Sequence, residues 1–595
     1  MTSYLREPVD DLPFGSDAKA RRYATERYVG AVGRNWYGCD PSLQLLMHRY
    51  LGPDGLRWAE PRLHELGALI GGRVAERAEE TDRHPPRLEK FDRWGRDISQ
   101  VVMPATFDAS RRDLIEHNFS SPAFRDEAQR AGVDPAPLST AWAYLLDQAE
   151  IGMMCALGTG GDMVVRLAEE FAPDDVKARV RTLFAAGEFA GEAAQMLTER
   201  TGGSDLAMLE TTATPDGDGW RLSGFKWFAS NANGSAFVVL AKPIGAPDSI
   251  RGIAPFLVLR ERRDGSRNGV RIRRLKDKLG TKAVASGEVE FDGAEAFLLA
   301  SSGQRGGDGG GASGGIDDGR GMARMMALTN GARLGIAMMG LGCARRALVE
   351  SLCYATAREA FGHELVHHPL MQRKLAELIV EVEAAQGLVF DGYLGPRLRI
   401  VAPLIKLRVA RLGITAASDA IEIHGGNGYI EQWPVARLLR DAQVNTVWEG
   451  PDNILCLDVR RAMERDGAEQ PFLDRLREAV SKAPSGDPTT TELVAARVDD
   501  LAGAVDAWRS LDRTTGEARL YALAQFMVDV YAAALLLEQA GWEEAELGTD
   551  RKQLVARLYV RDHLADRGPL RGIDAAPEEL QRFKDLVDGA FVDER

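Results

Sequence analysis

Cysteine is scarce: Cys39, Cys155, Cys343, Cys353 and Cys456 are the only five in 595 residues, and they show no paired spacing. That excludes a disulfide framework and predicts buried, reduced thiols in a cytoplasmic protein. Long hydrophobic runs are missing too. The most apolar, 532–537, has six residues, where a bilayer-spanning helix needs about 20. The polar, acidic opening from Thr2 to Asp17 has no apolar h-region, so no secretory signal is expected. There is no basic excess. A net charge of −14 and a pI near 5.4 weigh against nucleic acid or an anionic membrane as partner of the whole chain. No short-period repeat is present, which removes solenoid architectures.

What remains is ordinary globular composition, 45% hydrophobic and 27% charged, in a chain long enough for several cores. Residues 1–190 are mostly helical in pattern, with near-3.6 periodicity over 61–77 and 141–171. Pro85, Pro86, Pro104 and Pro122 punctuate the loops between helices. Over 191–300 the pattern changes to short runs of β-formers at 209–214, 220–222, 236–241, 254–259, 270–275 and 287–291. Asp216-Gly217-Asp218-Gly219 between the first two predicts a tight hairpin. Residues 301–321 are a glycine-rich flexible loop; its GxGxxG, Gly309 to Gly314, lacks a framing βαβ unit and is no dinucleotide site. Helical pattern returns over 322–466. Gly467, Pro471, Pro484, Gly486 and Pro488 then predict a linker within 462–491, before an additional helical domain over 467–595. The order is α+β, not alternating βα.

Three segments carry chemistry. Asn445-Thr446-Val447-Trp448-Glu449-Gly450-Pro451-Asp452-Asn453 sets one carboxylate among apolar side chains beside a glycine. Desolvation raises the proton affinity of such a carboxylate and suits it to general-base work. It follows His424-Gly425-Gly426-Asn427-Gly428-Tyr429 and the pair Arg440-Asp441. The second segment runs from Met196 through Leu197, Thr198, Gly202 and Gly203 to Ser204 and Asp205. Its glycines allow close backbone approach and its hydroxyls donate. Alone it reads as a capped turn, but Phe225-Lys226-Trp227-Phe228-Ala229-Ser230, an aromatic strand end, follows. The third is Arg358-Glu359-Ala360-Phe361-Gly362-His363-Glu364-Leu365, where an arginine fork suits a pyrophosphate. His367 and His368 lack carboxylate or cysteine partners at ligand spacing, so no metal is expected.

Together these motifs resemble the acyl-CoA dehydrogenases over about 40–465. Pro85 through Asp92, Leu275 through Gly280, and Trp448 through Val459 are similar to the AidB-like branch of that family. The resemblance implies an N-terminal helical domain, a flavin-cradling β-domain and a C-terminal helical bundle, here with an appended helical tail. It implies FAD as cofactor, held by Met196, Leu197, Thr198, Gly203, Ser204, Phe228, Ala229, Ser230, Arg358, Phe361, Gly425, Gly426 and Asn453. Ser204, Arg333 and Gly450 would meet the acyl-CoA substrate, and Lys278-Leu279-Gly280 with Ser286 fits the family's second β-segment. Glu449 would be the catalytic base. It would take the α-proton while the β-hydrogen leaves as hydride to the flavin, giving a trans-2-enoyl-CoA. An electron-transferring flavoprotein or similar acceptor, and a homo-oligomer (dimer or tetramer), follow from the same resemblance. Pro451, Glu422 and Pro369 depart from common family residues.

The alternative is an AidB-like flavoprotein that binds and protects DNA, with weak dehydrogenase activity. From Ala468 onward the chain holds 16 Lys/Arg against 25 Asp/Glu, and this acidity disfavours DNA. A flavin oxygenase would not need Glu449.

Overall fold

The computed structural model describes residues 28–158, 161–185, 193–299 and 321–593. The polar opening stretch lies outside these residues, as does the glycine-rich 301–321 segment apart from Gly321. The chain divides into two compact units, one of Arg77–Glu116 with Glu150–Ala332, the other of the remaining residues.

The first unit is built on strands. A hairpin of β1 (Arg87–Phe91) and β2 (Asp97–Val102) precedes β3 (Ala193–Met196), β4 (Thr212–Asp216), β5 (Gly219–Ala229), β6 (Ala236–Pro243), β7 (Ala254–Leu259), β8 (Val270–Leu275) and β9 (Gly287–Leu298). Pairings run β6–β4–β5–β9–β7 and return from β7 to β6, closing a five-stranded ring. β3 adds to β6 and β8 to β9. β6 is buried on both faces from Ala236 to Ala241, where its run is uninterruptedly apolar. Phe237 and Val239 fill the core shared with Phe256, Val289 and Phe291, while Val238 and Leu240 pack with Val164, Leu167, Val176 and Val180 of the helices Gly161–Phe171 and Asp174–Ala185. The expected β4–β5 hairpin forms with Gly217-Asp218 as its two-residue loop and Gly217 at φ +60°.

Two expectations change here. The runs at 220–222 and 225–229 are one strand, β5, whose register shifts between Leu222 and Gly224. A Cβ at Gly224 would stand 2.4 Å from Thr211 Oγ1, so the strand passes its neighbour where only glycine fits. The β1–β2 hairpin interrupts a region read as mostly helical. Pro85 and Pro86 end the preceding helix Ala75–Arg83, and Lys90 Nζ donates to Ile272 O of β8 at 2.8 Å, fastening the hairpin to the sheet.

The second unit is helical. It holds α1 (Pro41–Leu69), α2 (Pro135–Ala149), most of α3 (Gly321–Ala357), and a small hairpin of β10 (Glu359–Ala360) and β11 (His363–Glu364). Then come α4 (Pro369–Leu394), α5 (Val401–His424), α6 (Pro434–Ala442), α7 (Asp452–Asp466), α8 (Glu469–Ser481), α9 (Pro488–Arg509), α10 (Arg513–Leu547), α11 (Arg551–His563) and α12 (Phe583–Ala590). The segment expected to be a linker contains α8. Gly467 closes α7 in the left-handed conformation, and Pro471 sits in the first turn of α8, where its missing N–H costs nothing. The tail helices share this unit's core. α10 is long and apolar enough to cross a membrane, yet its 530–537 stretch is buried inside the bundle. Arg475 of α8 donates to Asp391 of α4 at 2.7 Å and to Glu538 of α10 at 2.8 Å, and Lys552 of α11 donates to Glu383 of α4 at 2.6 Å.

Candidate active site

In the helical unit, Glu449 lies on a turn between α6 and α7, at φ +54°, with Gly450 at φ +100°. A left-handed glutamate is uncommon and costly, and it persists only where neighbours enforce it. Three carbonyls of the turn are held by buried cations. Arg333 Nε donates to Glu449 O at 3.3 Å; Lys406 Nζ donates to Trp448 O at 2.8 Å and also to Gly450 O. Arg333 is itself paired with the buried Asp458, which Arg399 also grips at 2.7 Å. The indole of Trp448 donates to Asn445 Oδ1 at 3.2 Å, and Asp452 at the start of α7 accepts from Arg411 at 2.6 Å. Glu449 is half-buried. Asn453 is exposed on the first turn of α7.

The same unit carries a cavity of about 320 Å³ lined by Tyr354, Arg358, Leu365, His424, Gly425 and Gly426, among others. His424 stacks on Tyr354 with ring centroids 4.2 Å apart. Its Nδ1 donates to Ala420 O at 2.7 Å, while its buried Nε2 has no hydrogen-bond partner among the described residues. Burial holds the ring neutral, against the pull of Ala420 O and Glu350. An arginine fork and two exposed glycines suit a phosphate-bearing cofactor, while the Nε2 of the neutral ring, left an acceptor by the Nδ1–H bond to Ala420 O, suits a donor group of such a molecule. Phe361 and Gly362 form the two-residue loop of the β10–β11 hairpin, both at positive φ. Such positions favour asparagine and glycine; this one holds a phenylalanine that is 96% exposed.

In the β unit the 196–205 segment is tied to the end of β5. Trp227 N donates to Thr198 O at 2.9 Å, which makes Thr198 a neighbour of Phe228 and Ser230. Leu197, Thr198 and Ser230 are half-buried, Gly203 and Ser204 exposed, and Phe228 presents an exposed ring. A Cβ at Gly203 would lie 2.7 Å from Thr198 Oγ1, so glycine there leaves the hydroxyl its place. Met196 and Ala229 are fully buried in the barrel core, so only their backbones can meet a bound group. Of the 278–286 segment, Lys278 Nζ donates to Thr281 O at 2.6 Å and to Val284 O at 2.8 Å, closing its own loop.

Sequence reasoning missed the groups that hold these pieces. Glu199 accepts from Lys226 Nζ at 2.6 Å and from the N–H of Glu210 at 2.6 Å, and Lys226 also donates to Leu240 O at 2.7 Å. Lys226 is fully buried, and burial pulls it down to about 8 although Glu199 opposes. Lys406 and Asp458 were missed as well. Trp448, whose carbonyl Lys406 holds, lies 42 residues away, and Arg333 lies 125 residues from Asp458, beyond any local spacing rule. Among the described residues no group of three His, Cys, Asp or Glu side chains is placed to hold a metal ion.

Comparison with known proteins follows this geometry. Residues 194–294 match the acyl-CoA dehydrogenase middle domain, 319–464 the acyl-CoA dehydrogenase C-terminal domain, and 30–177 the N-terminal domain of adaptive response protein AidB. An acyl-CoA dehydrogenase of Bacillus subtilis is 32% identical over 292 residues, 48% of this chain and 71% of that relative. AidB of Escherichia coli is 29% identical over 435 residues, 69% of this chain and 75% of its own length. The crystal structure of Caenorhabditis elegans ACDH-11, solved in complex with C11-CoA, is 25% identical with a TM-score of 0.79, covering 91% of this chain and 93% of that one. Coverage that wide takes in tail helices as well.

Proposed function

The chain belongs to the acyl-CoA dehydrogenase family, in its AidB-like branch, and from that premise we propose that it oxidises an acyl-CoA to the trans-2-enoyl-CoA with Glu449 as the base. The observation that carries this reading is the Glu449 turn: a half-buried carboxylate in an enforced left-handed conformation, its flanking carbonyls held by Arg333 and Lys406.

The cofactor of this family is FAD. When bound, it supplies the acceptor for the hydrogen and electron pair leaving the β-carbon. Thr198, Phe228 and Ser230 of the β unit, and Arg358, Phe361, Gly425 and Gly426 of the helical unit, would hold it. The exposed rings, the idle His424 nitrogen and the small residues described above fit such a group. The chain's own task is the proton. An α-proton beside a thioester is a weak acid, so the base must be fixed and the developing enolate oxygen met by a preoriented donor. The carbonyl of Trp448 is drawn to Lys406, and a planar trans peptide then turns the Glu449 N–H the opposite way. That N–H is the donor we assign to the thioester oxygen. Gly450, at φ +100°, lets the chain leave the turn directly after the base.

The electron acceptor is proposed to be an electron-transferring flavoprotein or similar carrier. A homodimer or homotetramer is proposed because Phe361, Leu370 and Tyr429 stand 96%, 80% and 85% exposed. A cytoplasmic location is supported by five free, buried cysteines. DNA protection gains no support from the tail, where several basic groups are engaged by carboxylates, as Arg551 and Lys552 are by Glu383 and Arg557 by Asp487 and Glu578.

The test is spectral. An acyl-CoA substrate bleaches the bound oxidised flavin anaerobically, and Glu449→Gln retains the flavin but abolishes that bleaching. Full-speed bleaching in the variant would remove Glu449 as the base.

A further inference from the structure

Lys406 touches no reacting atom in the chemistry proposed above, yet it is fully buried within 3 Å of the catalytic turn. Lysine is almost never buried to this degree without strong compensation. Here its ammonium bonds two main-chain carbonyls, Trp448 O at 2.8 Å and Gly450 O, one on each side of Glu449. The charged groups around it come from three elements: Arg333 of α3, Glu449 of the turn itself, and Asp452 of α7, which is engaged by Arg411. We propose that Lys406 is a positioning residue for the base: it locks the 448–450 turn so that the Glu449 N–H and carboxylate face the acyl thioester, and its charge keeps that carboxylate ionised.

Two physical arguments carry this. A left-handed glutamate needs an outside constraint, and one ammonium spanning residues 448 and 450 supplies it from a rigid helix, α5. In a planar trans peptide, C=O and N–H point in opposite directions, so holding the Trp448 carbonyl inward sends the Glu449 N–H outward. Arg333 completes the set at the Glu449 carbonyl, and it shares the buried Asp458 with Arg399 and Arg461. Lys406 is a second buried cation at the turn, and its charge favours the ionised form of Glu449. Burial and Arg333 pull Lys406 down to about 8, against Glu449 and Asp452, so it still carries its proton at neutral pH.

The inference rests on the proposed dehydrogenation, and the experiment separates the two. Wild type, Lys406→Met and Lys406→Gln are compared as holoenzymes for flavin content, for kcat and KM with the substrate that bleaches wild type, and for the pH profile of kcat/KM. Methionine keeps the length and removes both donors and charge; glutamine restores donors without charge. In Lys406→Met, flavin content is expected to hold, kcat to fall about tenfold to a hundredfold and KM to change much less. The acid limb moves up by about one pH unit in both variants, because losing a nearby positive charge disfavours the carboxylate form of the base. Lys406→Gln recovers most of kcat while keeping the displaced limb. A folded Lys406→Met with wild-type kcat and acid limb overturns the proposal. If that variant does not fold, an unmoved acid limb in Lys406→Gln overturns it instead. A wild type that no acyl-CoA reduces defeats the dehydrogenase reading, and this inference falls with it.

Discussion

Replacing Glu383 by glutamine is expected to unfasten the tail from the helical unit. Glu383 is fully buried on α4 and accepts from both Arg551 and Lys552 of α11. Lys552 also donates to Ser42 at 3.0 Å, and Ser42 to Gln386 at 2.6 Å, so α1, α4 and α11 meet at one buried point. Glutamine would leave two cations there without a counter-charge, which typically costs about 3–5 kcal/mol. A second route gives a similar magnitude. Burial pushes the Glu383 carboxyl up, but attraction to Arg551 and Lys552 prevails and holds it at about 2 instead of 4.5. That difference is worth about 3 kcal/mol of linkage. The folded value is depressed, so this stability is fully present above pH 4.5 and is lost as pH falls toward 2. The assay is amide exchange of α11, corrected for intrinsic rates. At pH 7 the variant should exchange about a hundredfold faster than wild type, the rate equivalent of about 3 kcal/mol. The two should converge as pH falls toward 2. A change below about threefold at neutral pH would refute the reasoning, because a buried carboxylate between two cations cannot be that cheap to discharge.

Two further outcomes concern the cofactor. Glu199→Gln strands the buried ammonium of Lys226, loosens the 196–205 segment against β5, and should weaken flavin retention by about tenfold or more with the helical unit intact; unchanged flavin content after dialysis would show that the pair serves folding only. Phe361→Gly relieves a left-handed, exposed phenylalanine, worth about 1 kcal/mol of backbone strain. Apoprotein melting should therefore hold or rise while flavin affinity and self-association fall, and unaltered affinity would remove Phe361 from the cofactor site.

Much of this was legible in the sequence because it is local. Short runs of β-formers announce the barrel strands, Gly217-Asp218 the β4–β5 turn, and the order of the 424–429 and 445–453 segments the family. What stayed hidden depends on long-range packing. Nothing near Lys406 in the sequence marks it as bound to a turn 42 residues on, and Lys226 reads as one polar residue in an aromatic strand until Glu199 is folded against it. Helix breakers misled where their placement was harmless: Gly467 is a helix cap and Pro471 lies in a first turn, so 469–481 is helix rather than linker. The β1–β2 hairpin was obscured because its stability comes from β8, through Lys90 and Ser99, and not from its own short strands.

The most direct test of the central claim is the visible spectrum of the purified holoprotein under anaerobic conditions during titration with short, branched and aromatic acyl-CoAs, alongside Glu449→Gln. The account predicts that at least one acyl-CoA bleaches the oxidised flavin band in wild type, with an enoyl-CoA formed in equal amount, and that none does so in the variant. A wild-type flavin that no acyl-CoA reduces, or equal bleaching in both proteins, would contradict it.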